Sequence, residues 1–398
     1  MSSRTRRMTT AVAGAAAICM LAACSSGGSS TSAAGGTTSS PASTASASPS
    51  VSVVAGGSCS ANATKVLFWA WVPGMGRAVT EFNQTHPNIC VTQEDVGAGN
   101  PEYVAITNAL KAGSRAPDVA EVEFDELPSF EVTKNVVNLV PYGANTYKSK
   151  FTTWAWDEVS QGAGVYAMPG DAGPMAFYYN TKELAKYGIT PPTTWAEFAT
   201  DAAKLHKANP NAYMTNFSAI DLQWVMSLMA QDNAWPFAYS GGSNVTINWT
   251  GPKQMAFASY WQNLLAAHEV NATTDVSATS FADLDKGIDA SWLSSAWGPS
   301  YFAPDAKTSL GDWRAAPLPQ WTAGASAAAN WGGSTYPVFS QSKHPKEAAE
   351  FAEWLNATDA SWNITKTAPS SLFPTYLPLL NDPSLLIGCQ QLVARISE

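Results

Sequence analysis

The sequence predicts an α/β fold in two lobes, and three observations predict it. Runs with strand character alternate with segments whose apolar residues recur at helical spacing. The first such run, Val66-Leu67-Phe68-Trp69-Ala70-Trp71-Val72, is apolar on both faces, as a strand in a parallel sheet covered by helices on each side would be. The body that follows a low-complexity N-terminal tract is about 340 residues long, too large for one small core and suited to two.

In chain order, Arg4, Arg6 and Arg7 are followed by an apolar run of 13 residues from Ala11 to Ala23, then Cys24. A charged start, a short apolar stretch and a small-residue cleavage site mark an export signal over 1–23; the run falls short of the ~20 residues that a membrane-spanning helix needs. Leu21-Ala22-Ala23-Cys24 resembles the lipobox of bacterial lipoproteins, in which the cysteine becomes the acylated N-terminus; a chance cysteine beside an ordinary signal is the alternative. Residues 24–58 are almost wholly Ser, Gly, Ala, Thr and Pro. They hold too little apolar surface to offset the entropy of ordering, so they read as a tether to the membrane.

The body begins with the strand at Val66–Val72 and a Pro73-Gly74 turn. A helix over 75–86 places Ala78, Val79 and Phe82 on one face, Pro87 ends it, and Ile89–Val96 is a second strand, which completes a βαβ unit. A helix from Glu102 to Ala112 and a strand from Asp118 to Phe124 repeat the pattern. Thr194 with Glu197 forms a capping box for a helix whose Trp195, Phe198, Ala199, Ala202 and Leu205 share a face until Pro210. Pro345 opens a further helix with Ala348, Phe351, Ala352 and Leu355 at helical spacing. In an oxidising compartment Cys59 and Cys90 are placed to pair across the entry of the first strand and the second, with two free thiols as the alternative; Cys389 is left over.

Net charge is −9, and loss of Arg4, Arg6 and Arg7 with the signal makes it −12, so nucleic acid is excluded as a natural partner. Sixteen tryptophans beside only 13% charged residues are unusual in a soluble body. A flat indole suits the C–H face of a pyranose ring, although any one tryptophan is as readily a core residue. Trp69 and Trp71 end a strand, Trp297 sits in a Gly-Pro loop and Trp331 precedes Gly332-Gly333, all places where open α/β sheets carry ligand contacts. Asp125 lies just past a strand and Asp171 in the loop Met168–Pro174, where a carboxylate can accept hydrogen bonds from vicinal hydroxyls or simply shape a turn. Gly332-Gly333 can bring backbone N–H groups close to a ligand, or make a turn.

His86, His206, His268 and His344 fall singly, away from ligand spacings, so no metal and no other cofactor is expected. There is no Gly-x-Ser-x-Gly elbow, phosphate loop or dinucleotide fingerprint. A secreted glycosidase with a carboxylate pair stays open as a second reading, without a local signature for the pair. A surface sensor or adhesion lipoprotein is a third.

The string Val66–Pro87, then Pro117-Asp118-Val119, Ala167–Pro174 with Tyr178-Tyr179-Asn180, Pro191–Phe198, Pro317–Trp321 and Asn330–Ser334 resembles the extracellular solute-binding proteins of family 1, the sugar receptors of ABC importers, similar to maltodextrin-binding proteins. The resemblance runs from about 62 to 380, and its strength lies in the order and spacing of the motifs. It implies a two-lobed periplasmic-binding-protein-like fold of type II with the ligand cleft between lobes, crossed by the chain near 168–172, 325–331 and 364–369. Lobe 1 is then 59–170 with 331–366, and lobe 2 is 171–330 with 367–398. By resemblance Asp125 and Asp171 are acidic residues that bind sugar hydroxyls, Trp297 is a stacking aromatic, Asp221 and Trp224 lie in a cleft-facing region, and Trp331, Gly332 and Gly333 form a hinge segment touching ligand.

The implied protein is a monomer that catalyses no reaction and is lipid-anchored at the extracellular face of the cell membrane. It binds a sugar, an oligosaccharide by its aromatics, and presents it to the transmembrane subunits of an ABC permease. Past Phe373-Pro374 the chain departs from the family, which continues with further second-lobe helices. Here it runs Ile387-Gly388-Cys389-Gln390-Gln391-Leu392-Val393 and stops at Glu398, as a shortened second lobe would.

Overall fold

The computed structural model describes residues 52–54, 59–239, 245–367, 370–380 and 382. The export signal, Cys24, most of the tether, Cys389 and the C-terminal stretch from 383 lie outside the described residues. The tether expectation over 24–58 is corrected at one place. Ser52–Val54 form a strand, β1, antiparallel to β3 (Ile89–Asp95), because Val53 and Val54 bring strand propensity into an otherwise featureless tract.

The βαβ unit forms as the sequence predicts. β2 (Thr64–Trp69), α1 (Met75–Thr85) and β3 are followed by α2 (Asn100–Ala112) and β4 (Val119–Ala120), and the sheet order is β1-β3-β2-β4 with β2 parallel to both neighbours. β2 contributes Phe68 and Val66 to a core that Phe82 of α1 and Phe351 of the helix Pro345–Ala357 complete. The ring centroids of Phe68 and Phe82 both lie 5.0 Å from that of Phe351.

A second core collects the helices Trp195–Ala208, Leu222–Gln231 and Pro252–Ala266 around a three-stranded sheet. Its central strand Met175–Asn180 is antiparallel to both Ser291–Ser295 and Trp313–Ala316. The capping box at Thr194 and Glu197 is present. Trp195, Trp224 and Trp261 are fully buried here and pack on one another, with Trp261 centroids 5.5 Å from Trp195 and 6.2 Å from Trp224.

The chain leaves the first core after Met168, enters the second at Met175, and returns between Trp331 and Tyr336. Beyond these two passages the described residues differ from expectation. Leu372, Tyr376 and Leu379 pack on the first core, so 370–380 belongs there and not to the second lobe, and no crossing occurs near 364–367. Phe373-Pro374 is antiparallel to Asp171-Ala172 in the passage, and what ties the following turn to lobe 1 is Thr152 N donating to Thr375 O at 3.0 Å and the bridge between Phe151 and Tyr376. Among the described residues no helix is long and apolar enough to cross a membrane.

Cys59 and Cys90 form a disulfide with Cα atoms 5.6 Å apart, closing a loop over a sequence separation of 31. Chain entropy gives such a closure about 3–4 kcal/mol. Cys90→Ser is therefore expected to lower the melting temperature by several degrees, and a melt by circular dichroism checks it; a change under one degree would show that the linked segment frays before the core unfolds.

Candidate functional site

The strand expected over 118–124 breaks at Glu121. β4 lies in the first sheet, whereas β5 (Val122–Glu123) pairs with Ser334–Tyr336, which in turn pairs with Met168-Pro169. The residue at the break is fully buried, and its carboxylate accepts from Trp71 N (3.1 Å), Val72 N (3.2 Å) and Ser334 Oγ (3.0 Å). Ser334 N donates to Asp171 Oδ1 at 3.0 Å. The two carboxylates thus clamp the returning strand at the waist between the lobes. Close approach is possible because Gly170, Gly173 and Gly333 carry no side chain there: a Cβ on Gly333 would meet Asp171 O at 2.9 Å, and its φ of +105° disfavours any other residue.

Two cavities open at this waist. The smaller, about 280 Å³, is lined by Trp71, Glu121, Glu123, Asp171, Asp221, Gln223, Trp297, Tyr301, Trp331 and Gly333, and draws on both cores. The larger, about 1300 Å³, adjoins it through Gly99, Glu123, Asp221 and Gln223 and extends past Asp125, Trp154, Trp235 and Gly332. Trp297 Nε1 donates to Trp331 O at 2.9 Å, so its N–H is already satisfied within the protein. Tyr103 OH donates to Glu123 Oε2 at 2.8 Å.

Burial, then the charge of Asp171, raises the Glu121 carboxyl well above the ordinary range. Burial and the neighbouring Asp125 push Glu123 up to about 7, and burial alone takes Asp171 to about 7 against the opposing hydrogen bond from Ser334. Asp125 and Asp221 are raised by burial as well. Each of these groups loses water without gaining a cation.

Of the residues the sequence singled out, Trp71, Asp125, Asp171, Asp221, Trp297, Trp331, Gly332 and Gly333 all line one cavity or the other. Trp69 and Trp224 line neither, which corrects their assignment. Trp69 is 6% exposed in the first core with Nε1 donating to Glu94, and Trp224 is wholly buried with Nε1 donating to Leu293 O. Asp221 uses one oxygen to cap the helix Leu222–Gln231 through Trp224 N, so it is both cap and cavity wall. Trp331, 3% exposed, is mainly a second-core residue.

Sequence reasoning missed Glu121, Glu123, Gln223 and Tyr301. Glu121 follows the parallel strand β4 directly, whereas Glu123 sits in the antiparallel β5, so the change of sheet that brings both to the cavity has no local signal in the sequence. Among the described residues no group of His, Cys, Asp and Glu could hold a metal ion.

Two α/β lobes with a carboxylate- and aromatic-lined cleft at their waist define a solute receptor. The chain belongs to the bacterial extracellular solute-binding proteins, whose family model matches residues 72–361. It is 26% identical over 320 residues to the lactose-binding protein of Rhizobium radiobacter, over 76% of this chain and 72% of that one. It is 23% identical over 319 residues to the arabinooligosaccharide-binding protein of Halalkalibacterium halodurans, over 76% and 70%. Among solved structures it is similar to the ABC transporter associated binding protein from B. animalis subsp. lactis Bl-04 in complex with β-1,6-galactobiose. The TM-score is 0.73 with 30% identity, over 81% of this chain and 78% of that one. The family is one of binding proteins rather than enzymes.

Proposed function

We propose that the chain is the sugar receptor of an ABC importer, holding an oligosaccharide at its waist and presenting it to the membrane permease without chemical change. One observation carries this reading: carboxylates and indole faces from both lobes converge on two continuous cavities. Trp71 and Trp297 supply stacking faces; Asp125, Asp171, Asp221 and Glu123 supply hydrogen-bond acceptors for hydroxyls. The combined volume suits more than one ring. Contacts from both lobes favour the closed form, and that form is what the permease reads. The relatives that bind lactose, arabinooligosaccharide and β-1,6-galactobiose support a saccharide ligand.

The lipobox-like Leu21–Cys24 and the serine-rich tract after it support attachment to the outer face of the membrane through lipid. A hydrolase is less well supported, since Glu121, the most buried carboxylate of the cleft, is committed to two backbone amides and a serine.

A thermal-shift panel of di- and trisaccharides tests the proposal. A ligand at ~100 times its Kd adds about 2.7 kcal/mol and moves the melt by a few degrees. Trp297→Ala is expected to weaken that ligand tenfold or more through the lost ring face. A clean melt unmoved by every saccharide overturns the reading.

A further inference from the structure

Charge at the two cavities is one-sided. Eight carboxylates line them, Glu121, Glu123, Asp125, Asp171, Asp221 and Asp275 among them, and no lysine, arginine or histidine does. None of the ion pairs among the described residues involves any of these six. Buried carboxylates without a counter-charge are costly; Glu121 and Asp171 hold the returning strand and Asp221 caps a helix, yet no cation offsets any of the six in the free state. The larger cavity also holds acceptors with no donor: Asp275 Oδ2 and Ser218 Oγ have no hydrogen-bond partner, in residues 6% and 1% exposed. Beside them in the adjoining cavity stand the indoles of Trp71 and Trp297, whose faces attract cations as well as sugar C–H groups.

We infer that the ligand of this cleft is a saccharide bearing a protonated amine. The inference rests on the sugar-receptor reading and narrows it. An ammonium brings three donors and one positive charge, which matches an unpaired acidic cleft with unfilled acceptors; a neutral sugar supplies donors but leaves the charge uncompensated.

The test is calorimetric titration of the purified protein at pH 7 with matched sets that differ only at nitrogen. These are cellobiose, deacetylated chitobiose and N-acetylated chitobiose; lactose with its 2-amino counterpart; and glucose with glucosamine. In at least one set the amine is expected to bind tenfold or more tighter than both neutral members. That advantage should shrink between 20 and 300 mM salt and be lost in Glu123→Gln. If neutral members bind as tightly as the amine, or the thermal panel yields only neutral ligands, the charge inference fails while the receptor reading stands. If no saccharide of either kind binds, both fail.

Discussion

Asp171→Asn is expected to raise the melting temperature at pH 8 and to raise it much less at pH 5. Asp171 is 3% exposed, and burial pushes its carboxyl from an ordinary 3.8 up to about 7. In the unfolded chain the same group ionises near its ordinary value, so between about 4 and 7 the folded state holds a proton that the unfolded state does not. Its contribution to stability is full below the unfolded value and is lost as pH rises through 7, where folding must bury a charge. At 1.36 kcal/mol per unit the shift bounds the effect near ~4 kcal/mol, and water in the open cleft reduces it to about 2 kcal/mol. Asparagine retains an oxygen for Ser334 N and carries no charge, so the gain grows from about pH 4 and is largest above 7. Glu123 and Glu353 at about 7, Asp275 at about 6 and Asp289 at about 8 add in the same direction, so the parent protein itself should melt lower at pH 8 than at pH 5. Calorimetric scans of both proteins at the two pH values decide it; an equal shift at pH 5 and pH 8 would show that packing, not charge, is responsible. Weaker ligand binding by the same variant is the accompanying cost.

The βαβ start, the capping box at Thr194 and the helix after Pro345 were legible because local pattern and tertiary burial agree there. Asp171 and Gly333 stood out as a loop carboxylate and half of a glycine pair, each as readily a turn residue, and the fold brings both to the cavity wall. The tryptophans were less informative. Trp195, Trp224, Trp261, Trp292, Trp313 and Trp362 are all fully buried, so abundance of indole reflects the cores more than the cleft. Trp69 was misplaced because β2 is covered on both faces: its place at the strand end looks like a ligand position, but its ring lies in the core and only Trp71, two residues on, reaches the cavity. Glu121 was missed since it reads as a polar position in a strand; its role appears only when the strand changes sheet and three donors converge on it. Likewise, nothing local in Leu372–Leu379 says which core it joins. That depends on Thr375 and Tyr376 meeting Thr152 and Phe151, more than two hundred residues earlier.

Gly173→Ala is expected to cost about 3–5 kcal/mol or to prevent folding, through contact and not through backbone conformation. A Cβ at Gly173 would fall onto the carbonyl oxygen of Trp331 and lie 2.7 Å from Ser295 Oγ. Neither the Trp331 carbonyl nor the segment carrying it can step aside freely: Trp331 N donates to Gly173 O at 2.8 Å, and Gly173 N donates to Asn330 Oδ1 at 2.9 Å. The two passages of chain between the lobes are thus held at a spacing that excludes one methyl group. Gly162→Ala is the control, since its φ of +61° strains alanine while nothing lies within 4 Å of the new Cβ, and it should cost only about 1 kcal/mol. Denaturant melts of the pair separate crowding from conformational strain, and equal losses in the two variants would refute the crowding account. If Gly173→Ala folds at all, Trp331 O must move, and Trp297 Nε1 bonds to that oxygen. The stacking face then shifts with the waist, so saccharide affinity should fall in the folded fraction, which ties the glycine that lets the passages meet to the ring that meets the ligand.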